Sequence, residues 1–244
     1  MGRVGVLSAL VIGSMAPDIA FLLPIGVMRA ESHSLGGLFW YCLPIGLIGY
    51  LMFHRLMKQP MIHLLPLRFY ARLGPHDHSD WSISTRQLLP VLTSILVGAM
   101  THLVWDSFTH RGSWAVRNID WLQIHLFTGG GFWIYLYTLL QWLCSLLGLG
   151  LLYHWVARWL RSTPAPTVTR NNSLTSSQRW LYIGALLTAS LGAGVQEAWP
   201  YAVPEMIISS QELLNHTLLG SVGGFGVALT AYSLFWQYQQ RRSP

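Results

Sequence analysis

Residues 88–110 read LLPVLTSILVGAMTHLVWDSFTH. The stretch begins almost wholly apolar and ends with His102, Asp106 and His110. A helix that spans a membrane needs roughly 20 mostly apolar residues, and this run supplies them. At about 100° per residue, each step of four drifts by only about 40°, so the three ionisable groups share one face. Ionisable side chains within a membrane are expensive, and they mark either function or a contact between helices.

Outward from this run, further apolar stretches recur. Six are read as spans: 4–27, 33–57, 88–109, 132–160, about 180–200 and about 213–236. The fourth is long enough to tilt. The fifth is interrupted by Gly192, Gly194, Gln196 and Glu197 and followed by Pro200 and Pro204. The composition agrees, since 52% of the 244 residues are apolar and 10% are charged. Soluble domains carry about 25% charged residues. The expected fold class is therefore all-α, a polytopic membrane helical bundle of about six transmembrane helices. The first stretch resembles a signal peptide, with Arg3 ahead of its apolar core and Ser14-Met15-Ala16 as a cleavage-like site. Pro17 disfavours that cut, so the stretch is read as a retained helix.

Twelve of the 15 Lys and Arg residues fall at cytoplasmic ends when both termini are placed in the cytoplasm. Only Arg29, Arg111 and Arg117 are left outside. This follows the positive-inside rule, and it implies an integral inner (plasma) membrane protein, N-in and C-in. The same distribution argues against nucleic acid as the partner of the +6 charge. Residues 58–87 mix apolar and basic groups and fit either a solvated loop or a segment lying on anionic lipid. Residues 161–179 read as a cytoplasmic linker, which divides a four-helix membrane domain (1–160) from a two-helix segment (180–244). Cys42 and Cys144, both in apolar blocks, exclude a disulfide framework.

Asp18 follows Pro17 in the first helix, where proline removes the backbone partner of the Gly13 carbonyl and introduces a bend. His33 opens the second helix. With the orientation above, Asp18, His33, His102, Asp106 and His110 all reach the outer face. Two carboxylates and two or three imidazoles match the ligand set of a divalent metal, zinc first, with manganese or iron as alternatives. An open zinc site supplies hydroxide for hydrolysis. The same residues could instead cap helices or tie them together by hydrogen bonds.

Glu197 is a candidate general base, and with Asp106 it completes the expected catalytic set. His125, Glu212 and His216 read as interfacial. His54, His63, His76, His78 and His154 fall on the cytoplasmic side, and Pro75-His76-Asp77-His78 reads as a solvated loop. Neither HExxH nor GxSxG occurs. Gly220 and Gly224 form a GxxxG pattern for close helix packing. Trp114, Trp121, Trp133, Phe127 and Phe132 fit an aromatic belt, or the lining of an acyl-chain groove.

The segments VIGSMAPD, HSLGG, LMFHRLMK and THLVWDSFTH, in this order, resemble the bacterial domain-of-unknown-function 4184 family. The resemblance covers residues 7 to about 160 and extends toward the whole chain. That family is similar to the YdjM-type membrane-bound metal-dependent hydrolases, and through them to zinc-dependent phospholipase C and the S1/P1 nucleases. The resemblance implies Asp18, His102 and Asp106 as metal ligands and His33 as a fourth. Members usually carry a Pro-Phe-Thr segment and a His ahead of the first helix, whereas this sequence opens at Met1-Gly2. Either the start is assigned too late or that segment is missing, and if that His is a ligand, the site in the sequence as it stands is expected to lack one member.

The expected function is a metal-dependent hydrolase of a phosphoester, in a membrane lipid or a similar substrate, at the outer face. The alternatives are a proton- or ion-coupled transporter, because Asp–His sets also build proton relays, and a structural membrane protein.

Overall fold

The computed structural model describes residues 2–22, 26–73, 85–130, 132–165, 174–202 and 210–242. About 85% of it is helical. Two compact units divide the chain: Met1–Met52 with Ser82–Ser145 and Pro204–Asn215, and Phe53–Trp81 with Leu146–Val203 and His216–Pro244.

In the first unit, α1 (Gly2–Met15) runs into a 3₁₀ turn at Ala16–Asp18 and a short α2 (Ile19–Leu22). Pro17 lies in that turn, and the bend expected there is present. A one-turn α3 (Arg29–Ser32) precedes a π-helical turn (Leu38–Cys42) and α4 (Leu43–Met52). In the second unit, another π-helical turn (Phe53–Met57) precedes α5 (Lys58–Leu64) and α6 (Leu67–Leu73).

The apolar run that opened the sequence is α7 (Thr85–Thr109) in the first unit. Its last turn is followed by Gly112 at φ +77°, a left-handed position that glycine adopts without strain, and then by α8 (Trp114–Asn118). Ala115, Val116 and Leu122 bury themselves against Phe108, Ile119, Tyr137 and Leu140. This small core fixes α8 beside the end of α7.

The segment between α8 and the next long helix is not irregular. β1 (His125–Gly129) pairs antiparallel with β2 (Phe132–Tyr135), with Thr128 opposite Trp133 and Gly130 at φ +59° in the turn. An all-α description therefore omits a hairpin. The expected fourth span also begins late, because Phe132–Tyr135 is strand and α9 (Leu136–Ser162) starts at Leu136. The local cause is an alternating aromatic and β-branched segment flanking a glycine turn.

Three of the described helices are long and apolar enough to cross a membrane: Thr85–Asn118, Leu136–Ser162 and Ser210–Arg242. The last of these is α11 (Ser210–Arg242). The other expected spans fall short of that mark in their described parts. The first is an apolar helix of Leu7–Leu22, the second is broken by π-helical turns, and the fifth is α10 (Ser176–Ala198), with its Gly and Gln/Glu interruptions.

Small residues set the packing of the first unit. A Cβ added to Gly98 would meet the Leu10 carbonyl, and one added to Gly13 would meet the Ile95 backbone. α1 and α7 thus touch backbone to backbone, the arrangement that small residues permit between apolar helices. Beside this contact lies a core of Ala16, Leu38, Tyr41, Cys42 and Ala99.

In the second unit, Gly194, Gly220 and Gly224 leave no room for a Cβ between α10 and α11. The GxxxG pattern therefore does mark a close crossing, and Ser190 Oγ donates across it to the Ser221 carbonyl at 2.8 Å. Thr175 and Gln178 form a reciprocal capping box at the start of α10. His76 and His78 lie outside the described residues.

Gly98→Ala is expected to destabilise the protein by about 1–3 kcal/mol through overpacking. Gly184→Ala, facing open space inside α10, is expected to be neutral or to gain up to roughly 1 kcal/mol from helix propensity. Thermal unfolding in detergent checks both, and equal effects would refute the close approach of α1 and α7.

Candidate metal centre

The bend at Pro17 turns the chain at Asp18, directly after the buried Ala16 and Pro17. Across the α1–α7 contact, Ala99 lies in the same core, and His102 follows it by one helical turn. Asp106 is one further turn along α7, where Thr109 and Asp106 are both buried. His33 follows α3 as its C-terminal cap. These three segments bring Asp18, His33, His102 and Asp106 together, with one potential ligand atom from each within 4.8 Å of the others.

The distances suit a shared ion. His33 Nε2 is 3.2 Å from Asp18 Oδ1 and 3.4 Å from Asp106 Oδ2. His102 Nε2 is 3.6 Å from Asp18 Oδ1 and 3.4 Å from Asp106 Oδ2. N–H···O bonds cluster near 2.9–3.0 Å. A tetrahedral ion with ligand bonds of about 2.0–2.2 Å would hold its ligand atoms about 3.3–3.6 Å apart. Both Nε2 atoms are buried and lack a hydrogen-bond partner. Two orphaned imidazole nitrogens facing two carboxylate oxygens form a donor set that fits a divalent cation, so this cluster could hold a metal ion.

The groups around the cluster orient it. Ser32 Oγ donates to the Arg29 carbonyl at 3.2 Å, which uses its only proton. Ser32 Oγ must then accept from His33 Nδ1–H at 2.9 Å. That assignment leaves the lone pair of His33 on Nε2, facing the carboxylates. Cys42 Sγ donates to the Ser32 carbonyl at 3.4 Å and anchors the same residue from below.

Asp106 is held on both oxygens. Arg29 Nη2 donates to Oδ2 at 3.1 Å, and His110 Nδ1 is 3.3 Å from Oδ1. Thr109 Oγ1 donates to the Trp105 carbonyl at 3.1 Å and lies 3.2 Å from the same His110 nitrogen.

Four of the five residues expected from the sequence as ligands thus converge. His110 does not join them, since it lies behind Asp106 against the other carboxylate oxygen. On an α-helix a third residue at the i, i+4 spacing stays on the face but rises a further turn, beyond the reach of the same ion. Glu197 belongs to the second unit, where Oε1 is 3.5 Å from His216 Nδ1 and the His216 ring stacks on Tyr201 at 3.8 Å.

Sequence reasoning missed Arg29 and Ser32. Arg29 had been counted only as an outer-loop charge. Its spacing of four from His33, in RAESH, was the available signal.

The molecule is thus a helical protein with helices apolar enough to span a membrane, and it carries an Asp/His cluster suited to a metal. Residues 1–234 match the family described as Domain of unknown function (DUF4184), and the chain belongs to that family. Neither the curated proteins nor the solved structures include a match.

The double variant His102→Ala/Asp106→Ala is expected to lose divalent metal, measured by mass spectrometry of the detergent-purified protein. His110→Ala is expected to keep it with about 10–100-fold weaker affinity, as for other outer-shell partners.

Proposed function

We propose that the protein is a multi-pass inner-membrane hydrolase of phosphoesters, with a single divalent ion, zinc first, at the outer face. The carrying observation is the pair of buried Nε2 atoms of His33 and His102, which make no hydrogen bond but face the carboxylates of Asp18 and Asp106 at 3.2–3.6 Å. The topology proposed with it has six spans and both termini in the cytoplasm, supported by the 12 of 15 basic residues at the inner ends.

A divalent ion at such a site polarises a phosphoryl oxygen and makes water more acidic. The protein side chains divide the remaining work. His33 and His102, with side chains only 11% and 17% exposed, are the rigid holders. Asp106 is steadied on Oδ1 by His110. The Asp18 side chain is 48% exposed, so it is the member that meets solvent. A four-coordinate ion with four protein ligands has no position left for water, whereas a catalytic site keeps one. Asp18, exposed and mounted on a proline turn, would be the residue that leaves room for water beside the ion, and its carboxylate would accept a hydrogen bond from that water. The substrate enters from that side, and an outer-leaflet lipid headgroup is one phosphoester that reaches it.

Asp106→Ala is expected to abolish hydrolysis of a chromogenic phosphodiester and metal loading together, while membrane insertion persists in a fractionation assay. Unchanged metal content in this variant would end the proposal. Retained hydrolysis without metal would do the same.

A further inference from the structure

Arg29 occupies an unexpected position for a residue at a metal centre. Its Nη2 donates to Asp106 Oδ2 at 3.1 Å, and this is the same oxygen that faces both orphaned imidazole nitrogens at 3.4 Å. A cation held by that oxygen would lie close to a guanidinium that is always charged. The two positive groups therefore compete for one carboxylate oxygen. Asp106 does not need Arg29 for its orientation alone, because His110 already approaches Oδ1.

Arg29 also has somewhere else to turn. Its side chain is 45% exposed, and its guanidinium carbon lies 5.3 Å from the centroid of the Phe21 ring. An aromatic face supports the planar group, and the rest of it meets solvent. It sits on the same side as the exposed Asp18, to which Phe21 is joined by one turn of helix.

We propose that Arg29 is the recognition residue for a phosphoryl oxyanion, and that it couples binding of that anion to binding of the cation by moving from Asp106 Oδ2 onto the anion. The inference rests on reading the Asp/His cluster as a metal site. Two parallel N–H donors fit two oxygens of a phosphoryl group, a match that a single carboxylate oxygen does not offer. With the anion bound, the guanidinium is neutralised by phosphoryl oxygens, and Asp106 Oδ2 is free for the ion. Without it, Arg29 weakens the ion's hold. Such coupling is reciprocal, so the anion must tighten the cation by the factor with which the cation tightens the anion.

The test measures zinc affinity of the full chain by competition with a chromophoric chelator. Wild type, Arg29→Gln and Arg29→Lys are compared in detergent micelles with and without inorganic phosphate. They are then compared in nanodiscs of phosphatidylglycerol and of a phosphate-free glycolipid. Phosphoryl groups are expected to raise the zinc affinity of the wild type by about tenfold, within the usual range of coupling between sites. Arg29→Gln is expected to bind zinc about tenfold more tightly than wild type when no oxyanion is present, and to show no response to phosphate. Arg29→Lys keeps the charge but not the fork, so its zinc affinity should stay near wild type while its response shrinks; it also shows that substitution here leaves the protein folded.

A response to inorganic phosphate in micelles supports the proposal with a free phosphoester as the ligand. A response confined to phosphatidylglycerol nanodiscs supports it with a lipid headgroup. Weaker zinc binding by Arg29→Gln, or a wild-type response to phosphate in that variant, overturns the proposal and leaves the metal site standing. A wild type that takes no zinc under any condition overturns both.

Discussion

The backbone contact between α1 and α7 is the constraint on which the centre depends. Gly13 and Gly98 allow the two helices to meet without intervening side chains. Asp18 follows Gly13 by little more than a turn, and His102 follows Gly98 by four residues. Both ride outward from the same crossing, so their separation is set by the crossing itself. A bulkier residue at either glycine would move a ligand by more than the few tenths of an ångström that a metal site tolerates. Close packing of this kind is what small residues permit between two apolar helices.

Once the crossing is fixed, Asp106 organises the rest. One of its oxygens faces the two imidazoles and Arg29, and the other faces His110. The chain from the Arg29 carbonyl through Ser32 Oγ to His33 Nδ1 sets the tautomer that leaves Nε2 available. Arg29 therefore acts on the centre twice, through its carbonyl upon His33 and through its guanidinium upon Asp106. A centre built in this way separates ligands held by neighbouring side chains, His33 and Asp106, from one exposed to solvent, Asp18. That asymmetry is the structural basis for reading it as a reactive site rather than a closed structural one.

Much of this was legible beforehand because it depends on local geometry. The i, i+4 spacing of His102 and Asp106 places them on one helix face wherever the helix lies. Pro17 breaks its own helix without help from neighbours, and the glycines at 220 and 224 pack closely as their spacing implies. The hairpin at His125–Tyr135 was harder to see. Its strands are short, and the second joins the apolar run that becomes α9, so hydropathy merged them. The π-helical turns at Leu38–Cys42 and Phe53–Met57 leave no periodic signature in the amino acids. His110 shares the face of His102 and Asp106 but lies a turn further along, against Asp106 Oδ1 and apart from the four clustered residues, because a shared face does not imply a shared height.

The amino-acid sequence determined which residues are chemically able to take part and where proline and glycine interrupt the apolar helices. Those properties are carried by single residues or by spacings within one helix. Only the tertiary structure decided that Asp18 and His33, distant in sequence from His102 and Asp106, place their atoms on the same point, that His110 stands behind that point, and that Arg29 stands upon it. The reason is physical: the orientation of a side chain toward another segment depends on the distance and angle at which two backbones cross. Here that crossing is set by the volumes missing at Gly13 and Gly98, summed over both helices at once.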